Sequence, residues 1–185
     1  MKQQSLTQTK QLVYAALGIA LVFICTAFVN VRLPIAANGG LVHLGNVPLF
    51  IIAILYGRRF GALAGGIGMA LFDVVGGWLL WAPFTLVIVG LMGYTVGAIC
   101  EKRRTLTAYV LAMAVACLIK VVGYYGAEGI IYGNWLLPMA SIPGNLVQIG
   151  LAAVIVLPVL SKLRKNMPVS SWQESANEKD YAPRV

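Results

Sequence analysis

Long apolar runs separated by short polar breaks dominate the chain. The first run, Leu12 to Val29, is 18 residues without a charge. A membrane-spanning helix needs roughly 20 mostly apolar residues, fewer where it is short or re-entrant, so this run predicts a first span. The stretch NVRLPIAANGGLVHLGN follows, with Pro34, Gly39 and Gly40 breaking regularity. A second span is expected from Val42 to Gly57, punctuated by Arg58 and Arg59, and a third from Phe60 to Val75. After the break GGWLLWAP, a fourth runs from Phe84 to Cys100 and closes at EKRR. A fifth runs from Thr105 to about Gly126, and EGIIYGNWLLP reads as a loop with a partial helix. The sixth runs from Ala140 to Leu160 and ends at SKLRKN. The pattern predicts an all-α integral membrane protein of six transmembrane helices. Residues 1–165 form one domain, and 166–185 a flexible tail.

Composition agrees. Of the 185 residues 59% are hydrophobic and only 11% charged, against about 25% charged in soluble domains. The mean hydropathy is +0.83. A membrane barrel would alternate polar and apolar positions, and these runs do not. The run from Leu12 is longer than a usual signal-peptide core, so it reads as an uncleaved span.

The net charge of +8 raises the question of nucleic acid, and its distribution answers it. Lys2 and Lys10 precede span one, and Arg58 and Arg59 separate spans two and three. Lys102, Arg103 and Arg104 separate spans four and five, and Lys162, Arg164 and Lys165 follow span six. With six spans these boundaries share one side, and the other connections carry only Arg32. The positive-inside rule then puts both termini and the basic turns in the cytoplasm. The charge is a topology signal, and no nucleic-acid partner is expected.

Few polar residues interrupt the apolar blocks, and they map to the outward half. Asp73 stands near the outer end of span three, in LFDVVGGWLLWAPF. Lys120 lies 15 residues after Thr105, about 22 Å up the fifth helix at 1.5 Å per residue. Asn145 and Gln148 share a face of span six, and His43 and Asn46 stand where span two begins. Lys120, Tyr124 and Glu128 follow an i, i+4, i+8 pattern, which aligns an ammonium, a phenol and a carboxylate. Trp78, Trp81, Tyr125, Tyr132 and Trp135 stand nearby. Ionisable groups inside a membrane face a bundle interior or a wet cavity and are functional candidates. A flat polar heterocycle suits such a lining: aromatic walls stack its ring and polar groups fix its edges. Blander readings stand beside this one. Asp73 and Lys120 could form a structural pair, the tryptophans and tyrosines an interfacial belt, and Asn145 and Gln148 interhelical bonds.

Gly57, Gly61 and Gly65 recur every four residues, followed by Gly66 and Gly68, and span four has Gly93 and Gly97. These predict close packing inside the bundle. Ala16 and Ala20 form a similar small face on span one that could meet another protein. Cys25, Cys100 and Cys117 have no CxxC spacing and read as small core residues. No G-x-x-x-x-G-K-[ST] loop occurs, nor H-E-x-x-H or G-x-S-x-G, and no metal-spaced cluster. Three classes remain: a binding subunit driven by a motor elsewhere, a membrane enzyme, and a structural or assembly subunit.

The segment HLGNVPLFIIAILYGRRFGALAGGIGMALFDVVGGWLLWAPFTLVIVGLMGYTVG, His43 to Gly97, resembles the substrate-binding S components of energy-coupling factor (ECF) transporters, bacterial vitamin importers of the ATP-binding-cassette class. AALGIA, Ala15 to Ala20, extends the likeness to span one. The likeness is strongest to the hydroxymethylpyrimidine or pyridoxine branch, with riboflavin and thiamine as alternative substrates. It implies a six-helix bundle in the bacterial plasma membrane that holds its vitamin in the outer half, under the first, third and fifth connections. His43, Asn46, Asp73, Trp78, Trp81, Lys120, Tyr124, Glu128, Asn145 and Gln148 are the expected binding residues. Ala16 and Ala20 would meet a transmembrane coupling (T) subunit. Two cytoplasmic ATPases would bind the ATP and Mg, and this chain would carry no cofactor and no metal.

Overall fold

A computed structural model describes residues 2–32 and 41–163. The expected tail, 166–185, lies outside the described residues, as do Pro34, Gly39 and Gly40. Among these residues six α-helices follow in order: α1 (Lys2–Phe28), α2 (Asn46–Tyr56), α3 (Arg58–Val75), α4 (Ala82–Lys102), α5 (Leu106–Tyr132) and α6 (Ile142–Leu163). Two short strands, β1 (Asn30–Arg32) and β2 (Leu41–His43), pair antiparallel between α1 and α2, and a 3-10 turn (Leu137–Ser141) leads into α6.

Helix α3 is the centre, and its glycines explain why. A Cβ at Gly61 would stand 2.6 Å from the Ala53 Cβ of α2 and 2.7 Å from the Gly93 carbonyl oxygen of α4. At Gly66 it would stand 2.8 Å from the Leu86 carbonyl oxygen of α4, and at Gly68 2.8 Å from that of Ile19 in α1. Side chains at these positions would hold the helices apart; their absence lets three neighbours close on α3. Val22, Leu49, Phe50, Met69, Val89, Met92 and Val156 fill the core between the helices. Leu17, Val87, Leu118 and Val154 are exposed around the outside, as side chains solvated by lipid are.

Among the described residues, four segments are long and apolar enough to cross a membrane: residues 8–28, 82–102, 106–132 and 137–162. Helix α2 has 11 residues, roughly 16 Å at 1.5 Å per residue. Helix α3 has 18, but Arg58, Arg59, Asp73 and its glycines dilute its apolar character.

Boundaries moved where local chemistry outweighs hydrophobicity. The second helix was expected from Val42, but it begins at Asn46, and Val42 and His43 belong to β2. Asn30 Nδ2 donates to the carbonyls of Thr26 and Ala27 at 3.0 and 2.7 Å, which ends α1. The Leu44 N–H then donates to the Val29 carbonyl at 3.0 Å. The strand pair gives this connection the backbone partners it needs. The fifth helix was expected to stop near Gly126 and give way to a loop. It runs on to Tyr132 and stops at Gly133, whose φ of 61° is the left-handed conformation that closes helices. Gly129 is tolerated within it because the Trp135 ring lies where its side chain would be.

At one end of the bundle α2 turns into α3 through Gly57, with φ 90°. Glu101, at the end of α4, reaches this turn: its Oε1 accepts from the Arg58 N–H at 2.7 Å and its Oε2 lies 3.5 Å from Arg58 Nε. The basic turns of α2–α3 and α4–α5 therefore share one end.

Candidate functional site

The opposite end holds a cavity of ≈ 90 Å³ between α3, α4, α5, α6 and the strand pair. Helix α3 contributes Met69, Phe72 and Asp73 from its last turns. The chain then folds back at once: the Trp78 N–H donates to the Asp73 carbonyl at 2.7 Å, Gly77 takes φ 84°, and the Trp81 N–H donates to the Trp78 carbonyl at 2.8 Å. These turns set Trp78 and Trp81 against the cavity. Pro83 stands in the first turn of α4, where its missing N–H costs nothing.

Helix α5 contributes Lys120, Tyr124 and Glu128 from one face, as their spacing requires. The Tyr124 hydroxyl lies 3.1 Å from Thr85 Oγ1 on α4. Its ring lies 6.4 Å from that of Trp81 at 31° and 5.1 Å from Lys120 Nζ. Glu128 Oε2 accepts from Ser141 Oγ at 2.6 Å, tying α5 to the 3-10 turn. Helix α6 contributes Asn145 and Gln148. Gln148 Nε2 donates to the Leu41 carbonyl of β2, and its Oε1 accepts from Asn46 Nδ2 at 3.4 Å.

His43 lines the cavity from β2, and its Nδ1 accepts the Gly45 N–H at 3.3 Å. Burial, aided by the Lys120 ammonium, pushes it down from its ordinary value to about 3. The ring is therefore neutral, with Nδ1 as the acceptor and Nε2–H left as a donor.

Two charged groups line the cavity without an ion-pair partner. The Asp73 carboxylate hydrogen-bonds the Thr85 side chain, but its Oδ2 is buried and accepts no hydrogen bond. Lys120 is 2% exposed. Among the described residues no ion pair joins the two, and the one within 4.0 Å is Arg58–Glu101. The direct pair that the sequence left open as a structural reading is not formed.

Nine of the ten expected binding residues thus line one cavity. Asn46 does not. It is fully buried at the start of α2, where its Nδ2 donates to Gln148 Oε1 and its Oδ1 is unpartnered. Sequence reasoning missed Thr26, Leu41, Met69, Phe72 and Thr85. Met69 stands four residues before Asp73 and Thr85 four after Trp81, so helical spacing from the expected residues could have found both. Of the other aromatic residues, Tyr132 packs against Trp81 at 6.2 Å and Tyr125 donates to the Trp135 carbonyl at 2.7 Å. Neither lines the cavity.

A family model for the S component of ECF-type riboflavin transporters matches residues 6–165. The chain belongs to this family. It is a membrane protein and a transporter component, not an enzyme. Among curated relatives, the thiamine precursor transporter HmpT of Lactococcus lactis subsp. cremoris (strain MG1363) is 30% identical over 164 residues, which cover 88% of this S component and 92% of that protein. An uncharacterized protein of Pyrococcus woesei is 36% identical over 103 residues, 56% of this chain and 69% of its own. Among solved structures, the S-component for biotin from an ECF-type ABC transporter superposes with a TM-score of 0.64 at 15% identity, over 90% of this chain and 96% of that one. That likeness establishes a shared fold.

Proposed function

We propose that this S component captures a water-soluble vitamin or vitamin precursor of the hydroxymethylpyrimidine or pyridoxine type in the cavity and delivers it inward. A transmembrane coupling subunit and two cytoplasmic ATPases, which bind the ATP and Mg, drive the delivery. The observation that carries this reading is the cavity itself: Trp78, Trp81 and Tyr124 as aromatic wall, His43, Asp73, Lys120 and Asn145 as polar edge. Such a lining suits a small flat heterocycle. The kinship with a thiamine precursor transporter over 88% of the chain favours the pyrimidine. The family's own description favours riboflavin as a second reading.

In this reading all six helices cross a bacterial plasma membrane within a single domain, residues 1–165. The basic turns and both termini, including the tail at 166–185, are cytoplasmic, and the cavity opens outward. Ala16 and Ala20 are exposed on α1, whereas Ala15, Gly18 and Val22 of the same helix are buried. The small-residue face is turned away from the bundle and left for the coupling subunit.

The test is to purify the chain alone, identify extracted ligand by mass spectrometry, and measure binding of hydroxymethylpyrimidine, pyridoxine vitamers, thiamine and riboflavin. One of these binds, and the chain alone hydrolyses no ATP. Binding of none, in folded protein stripped of ligand, would refute the reading.

A further inference from the structure

The cavity holds opposite charges apart. Asp73 Oδ2 is buried without a hydrogen bond, and Lys120 lies against the Tyr124 ring and forms no ion pair with it. A buried carboxylate oxygen without a donor and a buried ammonium without an ion-pair partner are costly, and a bundle selected only for stability would let these two meet. A partner that enters and leaves resolves the arrangement, and its chemistry can be read from what is missing. Thr85 already bonds the Asp73 carboxylate, so it is Asp73 Oδ2 that needs a donor, and Lys120 needs an acceptor. The wall formed by Trp81 and Tyr124, with rings 6.4 Å apart at 31°, asks for both on a flat ring.

We propose that the recognised element is an amino group on an aromatic ring next to a ring nitrogen, the amino N–H donating to Asp73 and the ring nitrogen accepting from Lys120. Asp73 and Lys120 are then the residues that set specificity. This rests on the reading of the cavity as a vitamin site and narrows it. An aminopyrimidine carries this edge. The thiazole half of a thiamine precursor has a ring nitrogen but no N–H beside it, and pyridoxine has no ring amino group. Tyr124, whose hydroxyl already meets Thr85 at 3.1 Å, and Glu128, already bonded to Ser141, position the wall.

Calorimetry on the purified full-length chain tests this with 4-amino-5-hydroxymethyl-2-methylpyrimidine and its 4-oxo analogue, which has the same outline and an acceptor in place of the amino donor. A site built around an N–H rejects the analogue that lacks it, so the wild type binds the amino compound at least about a hundredfold more tightly. In Asp73→Asn, whose amide can donate to an oxo group, the ratio collapses to near one or reverses. Equal binding of the two compounds by the wild type overturns the proposal without any variant. So does an Asp73→Asn protein that keeps the wild-type ratio. Binding of pyridoxine or riboflavin but not the aminopyrimidine overturns this proposal and leaves the vitamin-binding reading standing. Binding of no vitamin overturns both.

Discussion

The two ends of the bundle treat a pair of opposite charges in opposite ways. At the end with the basic turns, Glu101 holds the Arg58 backbone N–H with one oxygen and approaches its guanidinium with the other. The two side chains are 34% and 28% exposed, so water shares the load. At the far end Asp73 and Lys120 line a cavity, and neither supplies the other's bond. One pair has its partner built in and clamps α4 to the α2–α3 turn. The other is held open by the helices that carry it. A closed pair serves the frame, and an open pair is complete only when something else arrives.

The largest effect that would break this contrast is on binding. Asp73→Asn and Lys120→Met should each weaken ligand binding about ten- to a hundredfold, the loss of one hydrogen bond to a charged group. Stability should not fall with affinity. Lys120→Met removes a buried charge that lacks an ion-pair partner, so the ligand-free protein should keep or raise its thermal midpoint in detergent. Were the two a structural pair, each single change would cost about 3–5 kcal/mol of stability and the double change would restore it. Calorimetry and thermal scans on the singles and the double separate the cases. A double mutant with wild-type affinity would remove the open pair from the binding site.

Much of this was legible in the sequence, because lipid tolerates few polar residues and those few must have a reason. Asp73, Lys120 and Glu128 were visible as breaks in apolar runs, and the helical period put Tyr124 between the last two. The glycines of α3 announced its close packing. What failed was local. Nothing apolar distinguishes Val42 in a strand from Val47 in a helix, and the Asn30 side chain that ends α1 decides it. Asn46 marks the start of the second helix in the sequence, but its burial against Gln148 of α6 is a tertiary contact with no local signal. Helix α5 outruns its expected end near Gly126 and takes in the first part of EGIIYGNWLLP, which reads as a loop with a partial helix. The contact of Trp135 with Gly129, which needs a glycine at that place in the helix, is tertiary and has no local signal.

A smaller effect concerns His43, on the cavity side of the contrast. The fold holds its ring neutral, pushed down to about 3 from an ordinary 6.5, whereas the unfolded chain takes up a proton below the latter value. Its contribution is therefore complete above about pH 6.5 and is lost as pH falls toward 3. Between pH 7 and 5 the loss amounts to at most about 2 kcal/mol. His43→Gln should flatten that part of the stability profile in detergent thermal scans. An unchanged slope would mean that His43 charges freely and is not enclosed by the cavity.

The smallest effect belongs to the other end and should leave binding untouched. Glu101→Gln keeps an oxygen that can accept the Arg58 N–H and removes only the charge facing the guanidinium. That charge is partly exposed and screened, so its loss should cost about 0.5 kcal/mol or less. Glu101→Ala removes the acceptor as well, and the backbone N–H at the start of α3 must turn to water. A further cost of about 1 kcal/mol is expected from that step. Thermal scans on the two variants resolve the closed pair into its backbone bond, the larger part, and its ion pair, the smaller. Ligand affinity should match the wild type in both, because the clamp and the cavity lie at opposite ends of α3. If Glu101→Gln instead weakened binding tenfold while the fold held, the α2–α3 turn would be transmitting its state along α3 to Asp73. The two ends would then be one coupled device, and charge at the basic end would help to set the shape of the cavity.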